Sequence, residues 1–128
     1  MLNVLAVAAG GALGAAARYG LSGLAGRWSE RGLPLGTLFV NLLGCLLIGL
    51  LVPWMLGDRA VRPELRSFVL IGLLGGLTTF STFGYEVFAM LNEGQWGRAG
   101  WIVLLNNGLG IGLVLVGYRL GTWLARAA

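Results

Sequence analysis

The stretch Gly72-Leu73-Leu74-Gly75-Gly76-Leu77-Thr78-Thr79-Phe80-Ser81-Thr82-Phe83-Gly84-Tyr85-Glu86 sets paired glycines, Ser/Thr hydroxyls, two phenylalanines and a carboxylate inside an apolar segment. Phe68-Val69-Leu70-Ile71 precedes it and Val87-Phe88-Ala89-Met90-Leu91 follows, so its surroundings are hydrocarbon. Glycine costs a helix about 1 kcal/mol relative to alanine. Gly75-Gly76 followed by Thr78-Thr79 therefore predicts a break near residues 75–79. Broken backbone at membrane depth is tolerated only where protein buries it or water lines it. In transport proteins such breaks build ion sites from freed carbonyls and helix ends. Glycines that merely admit a neighbouring helix, with hydroxyls bonded back to the backbone, are the alternative. The cluster of Thr78, Thr79, Ser81, Thr82 and Glu86 favours a site.

Composition supports that setting. Of 128 residues, 57% are hydrophobic and 11% charged, against about 25% charged in a soluble domain. The chain reads as an integral membrane protein. Histidine is absent and Cys45 is the single cysteine, which excludes a disulfide framework or a Cys/His metal site within one chain. Cys45, in an apolar run, reads as a small core residue. The net charge of +4 comes from nine scattered arginines and no lysine, a pattern that gives nucleic-acid binding no support. No basic region precedes the first apolar stretch, which reads as a retained helix rather than a cleaved signal.

A spanning helix needs about 20 mostly apolar residues, and four segments qualify, at residues 2–24, 35–56, 68–91 and 100–124. The fold class is thus an all-α, multi-pass membrane protein, with residues 1–128 forming one four-helix transmembrane domain. Pro34 suits a helix start, and Pro53 should bend or fray the end of the second span. Gly10/Gly14, Gly72/Gly76, Gly108/Gly112 and Gly117/Gly121 repeat at four-residue spacing. Lipid tails give helices no hydrophobic reason to associate, so small residues that admit a neighbouring backbone do that work. Four thin helices enclose little interior, which points to oligomerisation.

Several polar residues lie inside the spans. Arg18 shares a helix face with Gly11 and Gly14. An arginine at membrane depth is a functional candidate, although near a helix end it can also snorkel to the interface. Thr37, Asn41 and Gly44 form a narrow stripe on the second helix, and Asn41 bonds either a helix or a permeant species. Asn106 and Asn107 pose the same choice on the fourth. On the third helix Phe80 and Phe83 lie about 60° apart, bordering a lane of Thr79, Thr82 and Glu86. Phenyl edges carry the positive part of the ring quadrupole and can face an anion, or the two rings simply pack.

Gly72-x-x-Gly75-Gly76-x-Thr78-Thr79-Phe80-Ser81-Thr82-Phe83-x-x-Glu86 resembles the signature of the Fluc (CrcB) fluoride channel family. Gly10-x-x-x-Gly14-Ala15-x-x-Arg18-Tyr19 and Pro34-x-Gly36-Thr37-Leu38-x-Val40-Asn41-x-x-Gly44 resemble its first- and second-helix motifs. The resemblance implies an antiparallel, dual-topology homodimer in the plasma membrane, with two pores that pass fluoride passively out of the cytoplasm. It also implies a structural sodium ion at the dimer centre, held by the backbone carbonyls of Gly75 and Thr78. Phe80, Phe83 and Asn41 match residues that meet the anion. Thr37, Ser81, Thr82 and Glu86 match polar positions along or beside the path, and Arg18 matches an arginine near the vestibule. Ile102 and Asn106 stand where many members carry tyrosine and serine, a departure that leaves Asn106 as an amide donor to the anion. The resemblance implies a channel and not an enzyme. The rival reading is a small proton-coupled multidrug exporter using Glu86, but such exporters carry their glutamate in the first helix, where this chain has only Arg18.

With four spans, both termini share a side that holds Arg59, Arg62, Arg66, Arg119 and Arg126; Arg27, Arg31 and Arg98 lie on the other. This weak bias under the positive-inside rule predicts insertion in both orientations. Adding a few lysines to one terminus should fix the orientation and abolish transport, and co-expressing an oppositely biased copy should restore it. Full activity from a single fixed orientation, measured by topology tagging and ion efflux, would exclude the antiparallel pair.

Overall fold

The computed structural model describes residues 1–27, 29, 32–57 and 61–127. Arg31 and Arg59 of the orientation count lie outside the described residues. Among the described residues all regular structure is helical, and four segments are long and apolar enough to span a membrane: Leu2–Gly26, Leu35–Leu56, Pro63–Asn92 and Trp96–Ala127. The first two are α1 and α2. The third span is two helices, α3 (residues 63–77) and α4 (Phe80–Asn92). The fourth, α5, is Trp96–Ala127. Within α3 the wider π-helical winding covers Ser67–Leu73, and within α5 it covers Leu105–Leu109.

The third and fourth spans start earlier than their hydropathy indicates, at Pro63 and Trp96 rather than at 68 and 100. Their first turns carry Pro63-Glu64 and Gly97-Arg98, which an apolar window rejects. Proline at the first helical position and an acid beside the positive helix end nevertheless favour a start at Pro63. α2 runs through Pro53 to Leu56, since a proline in the last turns removes only one donor. Between α4 and α5 the chain reverses at Gly94, where φ is +74°. Gln95 N–H donates to the Met90 carbonyl at 2.8 Å and Gly94 N–H to Leu91 at 3.0 Å, the paired bonds of a glycine-terminated helix end.

Small residues set the helix contacts. A Cβ on Gly10 would collide with the Phe68 carbonyl, one on Gly14 with the Leu73 carbonyl, and one on Gly72 or Gly76 with the Val7 or Gly11 carbonyl. Gly10/Gly14 and Gly72/Gly76 therefore pack α1 on α3, backbone against backbone. Gly49, Gly117 and Gly121 do the same for α2 and α5, meeting the carbonyls of Val114, Leu46 and Leu50. The remaining pair behaves differently: Gly112 has open space on its Cβ side and Gly108 meets only Leu104 of its own helix. In α1 the buried residues are Gly10, Gly14 and Ala25, while Leu5 and Leu13 are exposed. This inversion suits lipid as the solvent, where packing rather than burial holds helices together.

Larger side chains fill two separate clusters. Val40, Leu74 and Leu77 pack with Leu47, Ile48 and Leu70 on one side of the interruption in the third span. Phe83, Met90, Ala99 and Ile102 pack with Leu38 and Val87 on the other. The Gly14→Val substitution should force α1 away from α3 and cost about 1–3 kcal/mol, the usual penalty of overpacking. Gly97→Ala, with open space at its Cβ, should leave thermal unfolding in detergent unchanged or raise it. Equal melting temperatures for the two variants would rule out backbone contact as what holds α1.

Candidate functional site

Two residues interrupt the third span. Thr78 (φ −88°, ψ 157°) and Thr79 (φ −152°, ψ 117°) are both extended. The sequence places the break across residues 75–79, but Gly75 and Gly76 remain in helical α3. The paired glycines serve packing against α1 at Gly76, and the threonines form the break. A side-chain amide from the second helix holds it. Thr79 N–H donates to Asn41 Oδ1 at 2.8 Å, and Asn41 Nδ2 donates to the Thr79 carbonyl at 3.1 Å. Asn41 and Thr79 are 7% and 8% exposed, so this amide stands in for a missing helical turn. Room for Thr78 beside α2 comes from Gly44, where a Cβ would collide with Thr78 Cγ2.

The break frees backbone groups on both sides. In an unbroken helix the Thr79 N–H would close on the Gly75 carbonyl; it is given to Asn41 instead. The Thr82 N–H, which would close on the Thr78 carbonyl, goes to Thr79 Oγ1 at 3.3 Å. Gly75 and Thr78 thus hold carbonyls released from the helical ladder. Thr79 is the N-cap of α4, and its hydroxyl also donates to Thr82 Oγ1 at 3.1 Å and lies 3.4 Å from Ser81 Oγ. The sequence groups Thr79 with the other hydroxyls of the lane and gives it no role of its own. The spacing Thr79-x-x-Thr82, a cap residue three before its bonded amide, was the available signal.

Three cavities surround the break. Arg18, Thr37, Thr79 and Thr82 line one of about 330 Å³. Thr37, Thr82, Glu86, Arg27 and Glu93 border a larger one of about 1070 Å³. There Thr37 Oγ1 donates to Glu86 Oε1 at 2.7 Å, while Glu86 Oε2 is buried and finds no partner among the described residues. Asn41, Gly75, Thr78, Phe80, Asn106 and Asn107 line a third, of about 380 Å³. The hydroxyl lane, Arg18 and the stripe on α2 therefore meet around Thr79.

The phenylalanines do not share a wall. Their centroids are 5.4 Å apart with the rings tilted by 54°. Phe83, 5% exposed, is packed in the α4–α5 cluster against Ile102, whereas Phe80 is 74% exposed. Of the two phenylalanines, Phe80 and not Phe83 borders one of these three cavities. Ser81 is exposed and borders none of the three. Removing the Thr79 cap should cost about 0.5–2 kcal/mol: Thr79→Ala should lower the melting temperature, and Thr79→Ser should recover most of the loss. Identical unfolding of both variants and the parent chain would deny the cap a role.

Known proteins resemble this chain over nearly its whole length. The family described as "CrcB-like protein, Camphor Resistance (CrcB)" matches residues 5–118. A protein of Aquifex aeolicus named fluoride-specific ion channel FluC is 45% identical over 118 residues, 92% of this chain and 95% of its own. Counterparts of the same name in Chloroflexus aurantiacus and Thermus thermophilus are 44% and 46% identical. They cover 96% and 94% of this chain, and 98% and 96% of their own length. With four apolar spans and this extent of identity, the chain is a multi-pass membrane protein that belongs to the CrcB-like family, a family of channels and not of enzymes.

Proposed function

We propose that the protein is a fluoride-selective passive channel of the plasma membrane that lets fluoride leave the cytoplasm. The observation that carries the reading is the identity of 44–46% to proteins named fluoride-specific ion channels, over at least 95% of their length. The chemistry around the break agrees with it. Neutral donors and ring edges can hold a small anion weakly enough for it to leave, where a fully buried fixed cation would trap it. Arg18, half-buried at a cavity edge, draws anions in. The first turn of α4 directs the N–H groups of Phe80 and Ser81, which the break separates from the carbonyls of Gly76 and Leu77, along the positive end of a helix dipole. Thr37, Thr82, Asn106, Ser81 and the Phe80 edge continue the path, with Phe83 and Asn41 shaping it and Glu86 at its wider end.

Two copies in opposite orientations complete the channel in this reading, giving two pores. Gly75 and Phe80 are exposed in the single chain at membrane depth, and released carbonyls there need a partner other than lipid. The Gly75 and Thr78 carbonyls fit a structural sodium ion: both are hard oxygen donors that have lost their helical N–H, and no Cβ crowds Gly75. The Gly75 and Thr78 carbonyls would hold such an ion in each copy, and its charge would offset the carbonyl dipoles that the break leaves without N–H partners.

Purified protein in liposomes should release fluoride and retain chloride, with efflux continuing when the pH gradient is clamped. Comparable chloride release, no fluoride release, or efflux that stops at the clamp would overturn the reading, the last in favour of a proton-coupled carrier through Glu86. Phe80→Ile should cut fluoride flux, and Phe80→Met should cut it less, because a polarizable thioether can still lie against an anion. Phe80 is the cleaner position, since it contributes little to its own chain's packing.

A further inference from the structure

Far from the break, the last turns of α5 meet the end of α2 with side chains that the proposed ion path does not use. The two helices run in the same direction, because Gly117 meets Leu46 and Gly121 meets Leu50. Residues 53–57 and 118–126 therefore reach the same end of the molecule. Arg119 and Arg126 stand seven residues apart, which places them about 20° apart around the helix and about 10 Å apart along it. With Tyr118, Thr122 and Trp123 they line a cavity of about 370 Å³. A second cavity, also of about 370 Å³, shares Tyr118, Thr122 and Arg126 with the first and runs along Val52, Pro53 and Leu56 of α2.

The polar side chains here are nearly all donors. Among the described residues no carboxylate lines either cavity. The Thr122 hydroxyl is spent on the Tyr118 carbonyl at 2.8 Å. Both guanidinium groups, the Trp123 indole N–H and the Tyr118 hydroxyl make no hydrogen bond or ion pair among the described residues. An arginine in the last turn offsets the helix dipole, an effect confined to that turn; this accounts for Arg126 but not for Arg119, two turns earlier. Tryptophan and tyrosine mark the depth at which headgroups meet acyl chains, and a guanidinium there pairs with phosphate through two parallel bonds. We propose that this corner binds an anionic phospholipid, with its phosphate between Arg119 and Arg126 and an acyl chain along Val52, Pro53 and Leu56. A free phosphate ion would use the arginines alone; the apolar slot that continues from Arg126 is what selects a lipid. The proposal is independent of ion conduction.

The test uses the full chain in phosphatidylcholine vesicles that hold a minor fraction of brominated lipid, either phosphatidylglycerol or phosphatidylcholine. Bromine quenches nearby indole fluorescence, and Trp123 lines the cavity. Lipids that mix at random around the protein quench equally. The wild type should instead be quenched more by brominated phosphatidylglycerol, with a preference of about thirtyfold in relative affinity from two arginines at a membrane surface. Arg119→Gln/Arg126→Gln should bring that quenching down to the phosphatidylcholine level. Arg62→Gln/Arg98→Gln removes the same charge from elsewhere and should behave as the wild type. All four arginines are exposed, so neither pair of changes disturbs packing. Inorganic phosphate added at constant ionic strength should leave the preference in place. Equal quenching of the wild type by the two lipids, or a preference that survives Arg119→Gln/Arg126→Gln, would overturn the site. An equal loss in Arg62→Gln/Arg98→Gln would replace it with diffuse attraction to surface charge, and reversal by inorganic phosphate would replace it with a free-ion site.

Discussion

A peptide group in hydrocarbon has no water to turn to, and leaving it unpaired costs several kcal/mol. The structure depends on how that demand is met at Thr78–Thr79. One amide on α2 bonds both the N–H and the carbonyl of Thr79, and the Thr79 hydroxyl caps the helix that follows. With those bonds in place the chain can stop one helix and start another inside a membrane span. Without them α3 and α4 would fuse into one continuous helix or be forced to bring water with them. The bonds also dictate what is left over, since each N–H taken by a side chain releases a carbonyl four residues back.

The packing around the break follows from the same solvent. Because lipid rewards no burial of leucine, the helices are joined where glycine lets backbones touch, and many large apolar residues face outward. Contacts of this kind are rigid and depend on register. Gly10 and Gly14 fix α1 on α3, while Gly49, Gly117 and Gly121 fix α5 on α2. The break is thus suspended between two rigid pairs, with one side-chain cluster on each side of it. The π-helical turn at Leu105–Leu109 adds a residue to α5 opposite Asn41, a distortion common near functional positions. There Asn106 accepts from Asn41 of α2, while Asn107 bonds back to Val103 of its own helix.

The site's charge distribution is spare. Carboxylate and guanidinium groups stand at the cavity edges, Glu86 held by Thr37 and Arg18 beside the hydroxyls, while the groups nearest the break are neutral amides, hydroxyls and a phenyl ring. Such a surface attracts an ion at its margins without binding it deeply at its centre.

The sequence by itself determined the class of solvent, the four spans, the family and the neighbourhood of the break, because each is written in composition or in a local motif. Tertiary structure decided the rest. Gly75-Gly76 read locally as the place where the helix fails, yet Gly76 is needed against Gly11, and packing keeps both glycines helical. Thr79 read as one hydroxyl among four until the Asn41 amide, thirty-eight residues away in sequence, drew its backbone out of the helix. Phe80 and Phe83 share a helix face by their spacing, but the antiparallel return of α5 buries one against Ile102 and leaves the other open. The ends of helices escaped the apolar pattern because a helix continues beyond the hydrocarbon that the pattern measures. Local chemistry names the groups that can act, and only the crossing of distant helices determines which of their hydrogen bonds are already taken.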